Sequence, residues 1–244
     1  MNLNTFRANS RDFGLSKATA DLAFRAANHL FLLRILKGVR IEQVDPAFLE
    51  CDAIYHGQFL TEEVLRAFAE DPMYELPHTF LDEALRKGDE CYGFLAGSTL
   101  AAYGWYSRQM YDLDFPGLRL HFDDQYVYMY KGFTAAGHRG KRLHAIGMTR
   151  ALEAYLARGY RGIVSYVEWN NFASLRSCYR MGYRDFGKIT IAGFDGHYIL
   201  HNDGGCKKVG FLVERIGSPR EPWLTSRSLR DYDNAFSSSE RTGT

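Results

Sequence analysis

Between residues 125 and 183 the spacing of apolar positions changes from two, to three and four, to a short unbroken run, and back to three and four. Tyr126, Tyr128 and Tyr130 alternate with Val127 and Met129, which predicts a strand carrying β-formers on both faces. Small residues at Thr134, Ala135, Ala136 and Gly137 mark its end. From Leu143 onward Met148, Ala151, Leu152, Tyr155 and Leu156 make one helical stripe, stopped by Gly159, so the helix begins near Gly140. The run 163–167, bounded by Gly162 and Glu168, suits a buried strand, and Asn171, Ser174, Leu175, Cys178, Tyr179 and Gly182 set out a short helix with a glycine terminator.

The flanking chain is less sharply patterned. The first 15 residues are polar and expected to be loose. An amphipathic helix is predicted from Ser16 or Thr19, with Ala23, Ala26, Ala27, Leu30 and Leu33 on its apolar stripe and Asp21, Arg25 and Asn28 opposite. A strand over 39–44, helices over 61–69 and 79–87, and a hairpin of 92–97 with 100–107 follow. A loop over 112–124 carries Pro116 and four aspartates, and closing strands are expected at 189–192, 197–200 and 209–214. Residues 1–37 thus read as a helical extension, 38–216 as one α/β domain and 217–244 as a polar tail rich in Ser, Arg and Asp.

Composition narrows the function classes. With 46% hydrophobic and 24% charged residues and a net charge of +1, the chain lacks the broad basic excess of a dedicated nucleic-acid binder. The run 30–36 contains Arg34 and is far too short for a membrane span. Cys51, Cys91, Cys178 and Cys206 form no CxxC pair, which reads as four reduced thiols in a cytoplasmic protein. His197 and His201 have metal spacing only on a helix, and here a strand or turn is expected, so no metal site is assigned. The N-terminal helix either packs on the domain or serves as a contact for a second copy or another partner.

Chemistry concentrates at the start of the central helix. His138, Arg139, Lys141, Arg142 and His144 crowd a helix end whose macrodipole is already positive, against a preference worth roughly 0.3 to 1 kcal/mol per charge. Such an end is either a solvated basic patch or an anion site that uses the free N–H groups of the first turn.

The order and spacing of Arg139–Gly140–Lys141–Arg142–Leu143–His144, followed by Asn171, Ser174, Gly182 and Tyr183, resemble the GNAT superfamily of N-acetyltransferases. Members of that family move an acyl group from acyl-coenzyme A to an amine. The resemblance implies a mixed, mostly antiparallel sheet flanked by helices, with acetyl-CoA or another acyl-CoA as cosubstrate and an unidentified amine as acceptor. It also implies that the strand ending at Phe133 and Thr134 splays from the strand at 163–167 to admit the pantetheine arm. Arg139 through Ala145 would hold the pyrophosphate, and Asn171 and Ser174 would meet the pantetheine.

Three positions depart from the family pattern. Arg142 stands where the family has its central glycine, and either obstructs the pyrophosphate or adds a contact to it. His144 stands where the family has Gly or Ala, and Cys178 occupies the place of the usual tyrosine acid, with Tyr179 next to it. Tyr179 is the expected acid, with packing of its helix as the alternative. The place of a family glutamate base falls on Tyr126, leaving Asp124 and Glu168 as candidates, or a water instead of any side chain. The same departures would also fit a non-catalytic module that keeps the fold for ligand binding or as a scaffold.

Overall fold

The computed structural model describes residues 3–28, 30–113, 117–194 and 197–217. Beyond Gly217 the expected polar tail lies outside the described residues, as do Asp114 and Pro116.

Helices α1 (Leu3–Phe13) and α2 (Leu15–Ala27) precede strands β1 (Leu32–Ile41) and β2 (His56–Phe59). Helices α3 (Glu62–Ala69) and α4 (His78–Arg86) lead to the hairpin of β3 (Glu90–Ala96) and β4 (Thr99–Ser107), then to β5 (Tyr111–Asp112) and β6 (Leu118–His121). Next come β7 (Tyr126–Thr134), α5 (Leu143–Ala157), β8 (Gly162–Glu168) and α6 (Phe172–Arg180). The remaining elements are β9 (Arg184–Phe194), β10 (His197–Asn202), α7 (Gly204–Lys208) and β11 (Leu212–Arg215).

Eight strands form one sheet in the order β10-β9-β1-β8-β7-β4-β3-β2, in which β7 and β8 are parallel and every other pair is antiparallel. This is the mixed, mostly antiparallel sheet flanked by helices that the family resemblance implies. On one face α5 and α6 bury Leu143, Ile146, Leu152, Leu175 and Cys178 against Val39, Val127 and Ile163. On the other, α3 and α4 cover β4 around Trp105, while the small sheet β11-β6-β5 covers Leu36, Tyr128, Val164 and Ile189. Among the described residues no helix is long and apolar enough to cross a membrane.

The first 41 residues depart most from the sequence reading. Residues 3–13, expected to be loose, form α1, because Phe13 packs on Phe172 at 5.3 Å and Arg176 Nη2 donates to the Asp12 carbonyl at 2.6 Å. These partners are far away in sequence, so local polarity concealed them. The next helix stops at Ala27 rather than running through Leu33. Asn28 closes it, and its Oδ1 accepts from the Leu33 N–H (3.0 Å) and Arg34 Nη1 (2.8 Å), which turns the chain into β1. The strand expected at 39–44 therefore starts at Leu32, and a boundary at 37/38 would cut a strand lying between β8 and β9.

Asp21, placed on the solvent side by its spacing, is 3% exposed. Its carboxylate accepts from Asn9 Nδ2 (3.1 Å), Arg25 Nε (2.9 Å) and Asn170 Nδ2 (2.8 Å), and so ties both N-terminal helices to the turn after β8. Phe24 adds an edge contact to Trp169 at 5.3 Å. The helices pack on the domain. Two shorter differences are that the loop over 112–124 contains β6, and that the strand expected at 209–214 is Leu212–Arg215, following α7 capped by Asp203.

Candidate functional site

The parallel pair opens into a wedge. Rungs join Tyr126 to Gly162, Val127 to Ile163 and Tyr128 to Val164, and there the pairing stops. Beyond that point β7 stays bonded to β4 as far as Thr134, and β8 to β1 as far as Glu168, so the two strands are drawn apart. At the root Ser165 Oγ donates to the Met129 carbonyl at 2.8 Å, substituting for the next rung. Past it, the edges 130–134 and 166–168 carry no rungs to each other, so the gap between the two strands widens toward their C-terminal ends.

A bulge in β7 shapes one wall. Trp105 pairs with Lys131 and Tyr106 with Met129, leaving Tyr130 unopposed. In consequence Tyr130 and Lys131 both face α4: Tyr130 donates to Asp89 Oδ2 (3.1 Å), and Lys131 Nζ lies 4.5 Å from the Phe80 ring centre and donates to the Glu75 carbonyl (2.7 Å). Burial raises the Asp89 carboxyl above its ordinary value and lowers Lys131 below its own. Phe133 stacks on Tyr103 at 5.1 Å on the same face.

At the mouth of the wedge a turn leads into α5. Arg139 Nε donates to the Thr134 carbonyl at 3.4 Å, tying the turn back to the strand end. Gly140 has φ 78°, and a side chain there would meet nothing within 4 Å. Arg142 adopts φ 59° and ψ 14°, left-handed geometry that glycine provides without strain. Its guanidinium rests 5.8 Å from the Phe48 ring centre. Among the described residues no side chain caps α5, and its first internal bond runs from the Ile146 N–H to the Arg142 carbonyl, so the N–H groups of Leu143, His144 and Ala145 head the helix. Arg139, Lys141 and Arg142 stand exposed around them.

Leu143 and Ala145 themselves point into the core. His144 also turns inward: a Cβ added to Gly132 would lie 2.3 Å from its Cε1, so the imidazole occupies the space that this glycine leaves open. Burial holds that imidazole below its ordinary value, in the neutral form. Asn171 Oδ1 accepts from the Ser174 N–H at 3.2 Å, which makes Asn171 the N-cap of α6.

The expected acid and base residues are not gathered at this opening. Cys178 is 9% exposed on the core face of α6, where burial pushes its thiol up to about 11. Tyr179 is 43% exposed, but its hydroxyl donates to Asp185 on β9 (2.8 Å) and accepts from Lys37 on β1 (2.8 Å), while Lys37 also pairs with Asp185. Both strands lie beyond β8 from β7, so the tyrosine is anchored away from the wedge. Asp124 precedes β7 and sits ten residues, about 30 Å, from Thr134 at the other end of the strand. Tyr126, at that end too, donates to Glu42. Of these five residues, only Glu168 ends a strand that borders the wedge, and it is ion-paired to Arg34 at 3.2 Å.

Sequence reading missed Ser165, Tyr130 and Lys131. Its one available signal was Gly132, an isolated glycine inside a strand pattern, which marks a bulge or a close approach.

Solved structures similar to this chain include acetyltransferases of the GNAT family. An acetyltransferase from the GNAT family of Colwellia psychrerythraea is 17% identical, with a TM-score of 0.47 over 72% of this chain and 62% of that one. A GCN5-related N-acetyltransferase-like protein from Streptococcus suis is 11% identical, with a TM-score of 0.47 over 75% and 68%. A GCN5-related N-acetyltransferase from Kribbella flavida is 15% identical, with a TM-score of 0.43 over 72% and 64%. This chain thus spans about two thirds of the length of these proteins, and the likeness is one of fold. No protein-family profile and no curated protein matches it.

Proposed function

We propose that the chain is an acyl-CoA-dependent N-acyltransferase that moves an acyl group, acetyl in the simplest case, directly to an amine. One observation carries the reading: two parallel strands that part after three rungs, with an uncapped, cation-ringed helix start at the mouth of the gap. An extended pantetheine arm can lie between the parted edges 130–134 and 166–168 and bond to them as a strand would. The pyrophosphate meets the N–H groups of Leu143, His144 and Ala145, with Arg139, Lys141 and Arg142 supplying charge.

The amine approaches on the α4 side, beside Tyr130, Lys131 and Phe133. There the cationic Lys131 favours an amine in its neutral, nucleophilic form. The amine nitrogen bonds to the thioester carbon, the C–S bond breaks, and the proton lost by nitrogen reaches the departing sulfur through solvent. Positioning and polarisation of the carbonyl by backbone N–H groups carry the rate enhancement, with no side-chain acid assigned.

Release of the coenzyme A thiol from acetyl-CoA, followed across a panel of small amines, amino acids and peptide N-termini, tests this reading. Amine-dependent release that falls in Arg139→Ala is expected. Coenzyme A binding with no turnover for any amine class would favour the second reading, a non-catalytic binding module. The burial of Cys178 and the anchoring of Tyr179 away from the wedge support that alternative.

A further inference from the structure

On the far side of α6 from α5, residues of the N-terminal helices, α6, β1 and β9 line an open groove of about 920 Å³. Its floor is apolar and aromatic, with Phe13, Trp169, Phe172 and Leu175 in the wall. Among the described residues that line it are five cations, Lys17, Lys37, Arg176, Arg180 and Lys188, and one acid, Asp12. The whole chain is balanced at 30 Lys and Arg to 29 Asp and Glu, so this wall is a local departure and not a reflection of composition.

The cations differ in what they already do. Lys37 is held by Asp185 and Tyr179, and Arg176 donates to the Asp12 carbonyl and lies 4.4 Å from the Phe13 ring centre. Asp12 itself is bonded to Arg11 at 2.8 Å. Lys17 lies 5.6 Å from the Phe172 ring centre, a contact between cation and ring with no acid in it. Among the described residues, the side chains of Arg180 and Lys188 have no carboxylate partner. Among the described residues the buried indole N–H of Trp169 has no acceptor. A guest with anionic oxygen at one end and an apolar body would answer the unmatched charge and cover the exposed ring of Tyr179 together.

We propose that this groove is a binding site for an amphipathic organic anion, an aromatic or aliphatic body bearing a carboxylate or phosphate, distinct from the wedge between β7 and β8. Its volume falls within the roughly 300 to 1,000 Å³ of small-molecule sites. The cations ring one apolar concavity instead of tracking along a surface, which favours a compact anion over a polyanionic strand.

The test is calorimetric titration of the full chain with phenylbutyrate and with its uncharged analogue phenylbutyramide. Both are run with and without saturating coenzyme A, and repeated on the double variant Arg180→Gln, Lys188→Gln. Both substituted residues are exposed, so the variant is expected to keep the wild-type unfolding midpoint. Phenylbutyrate should bind, the amide about tenfold or more weaker, and the double variant should lose about tenfold for the acid alone. Coenzyme A should not displace it. The proposal is overturned if phenylbutyrate gives no measurable binding, if acid and amide bind alike, if the double variant binds the acid as wild type does, or if coenzyme A competes.

Discussion

Replacing Arg142 by glycine separates the backbone role of this residue from its side-chain role. At φ 59° the left-handed conformation costs a residue with a Cβ roughly 1 to 2 kcal/mol, which glycine recovers. Against that, glycine gains about 0.5 to 1 kcal/mol of freedom in the unfolded chain. The contact with Phe48 at 5.8 Å, worth about 0.5 to 1 kcal/mol at an exposed site, is also lost. The gains and losses nearly cancel. The free variant should therefore unfold within about 1 kcal/mol of wild type, or within about 4 °C for a chain of this size.

Binding should respond differently. A charge-assisted contact to phosphate is worth about 1.5 to 3 kcal/mol, so coenzyme A affinity should fall about tenfold or more. At a concentration near a hundred times the wild-type dissociation constant, coenzyme A should add about 2.7 kcal/mol to wild type and only about 1.4 to the variant. Thermal unfolding with and without ligand reads both numbers. Equal or greater stabilisation of Arg142→Gly would show that the guanidinium is no phosphate ligand and instead hinders the approach.

Four further outcomes follow from the packing. Asp21→Ala removes a buried carboxylate from Asn9, Arg25 and Asn170 and should cost about 2 to 4 kcal/mol, the lower end reflecting the exposure of Arg25; a urea midpoint matching wild type would show that the N-terminal helices are not held this way. Gly132→Ala drives a Cβ into His144 and should cost about 1 to 3 kcal/mol, read by the same unfolding curves, with little loss meaning that the imidazole moves aside freely. Because the His144 value is depressed in the folded state, the unfolded chain takes up its proton first. Stability should fall as pH drops below about 6.5 toward the folded value, more steeply in wild type than in His144→Leu, and parallel profiles would contradict this. Cys178, held at about 11, should resist alkylation near pH 8 in the native protein while the less buried Cys51 reacts, which peptide mapping would detect.

The segment 125–183 was legible because each of its elements announces itself locally. Period two in Tyr126–Tyr130, the helical stripe from Leu143 and the run after Gly162 are properties of neighbours in sequence, and each became the element expected. The left-handed turn was legible only as a departure, since Arg142 occupies a place where glycine is expected. What stayed hidden was set by distant partners. Asp21 reads as a solvent-facing acid until Asn170 meets it, and residues 3–13 read as loose until Phe172 covers Phe13. Tyr179 looked available as an acid because nothing in its own helix reveals Lys37, 142 residues earlier. The opening of the wedge depends on β4 and β1 pulling β7 and β8 apart, which no pattern within either strand encodes.

Amide hydrogen exchange with and without acetyl-CoA tests most directly whether that opening takes up an acyl-CoA. Exchange should slow at 130–134, 166–168 and 140–145, the two parted edges and the helix start, with residues around Lys17 and Arg180 unchanged. Protection confined to other segments, or none at saturating acetyl-CoA, would contradict the acyl-CoA reading of the wedge.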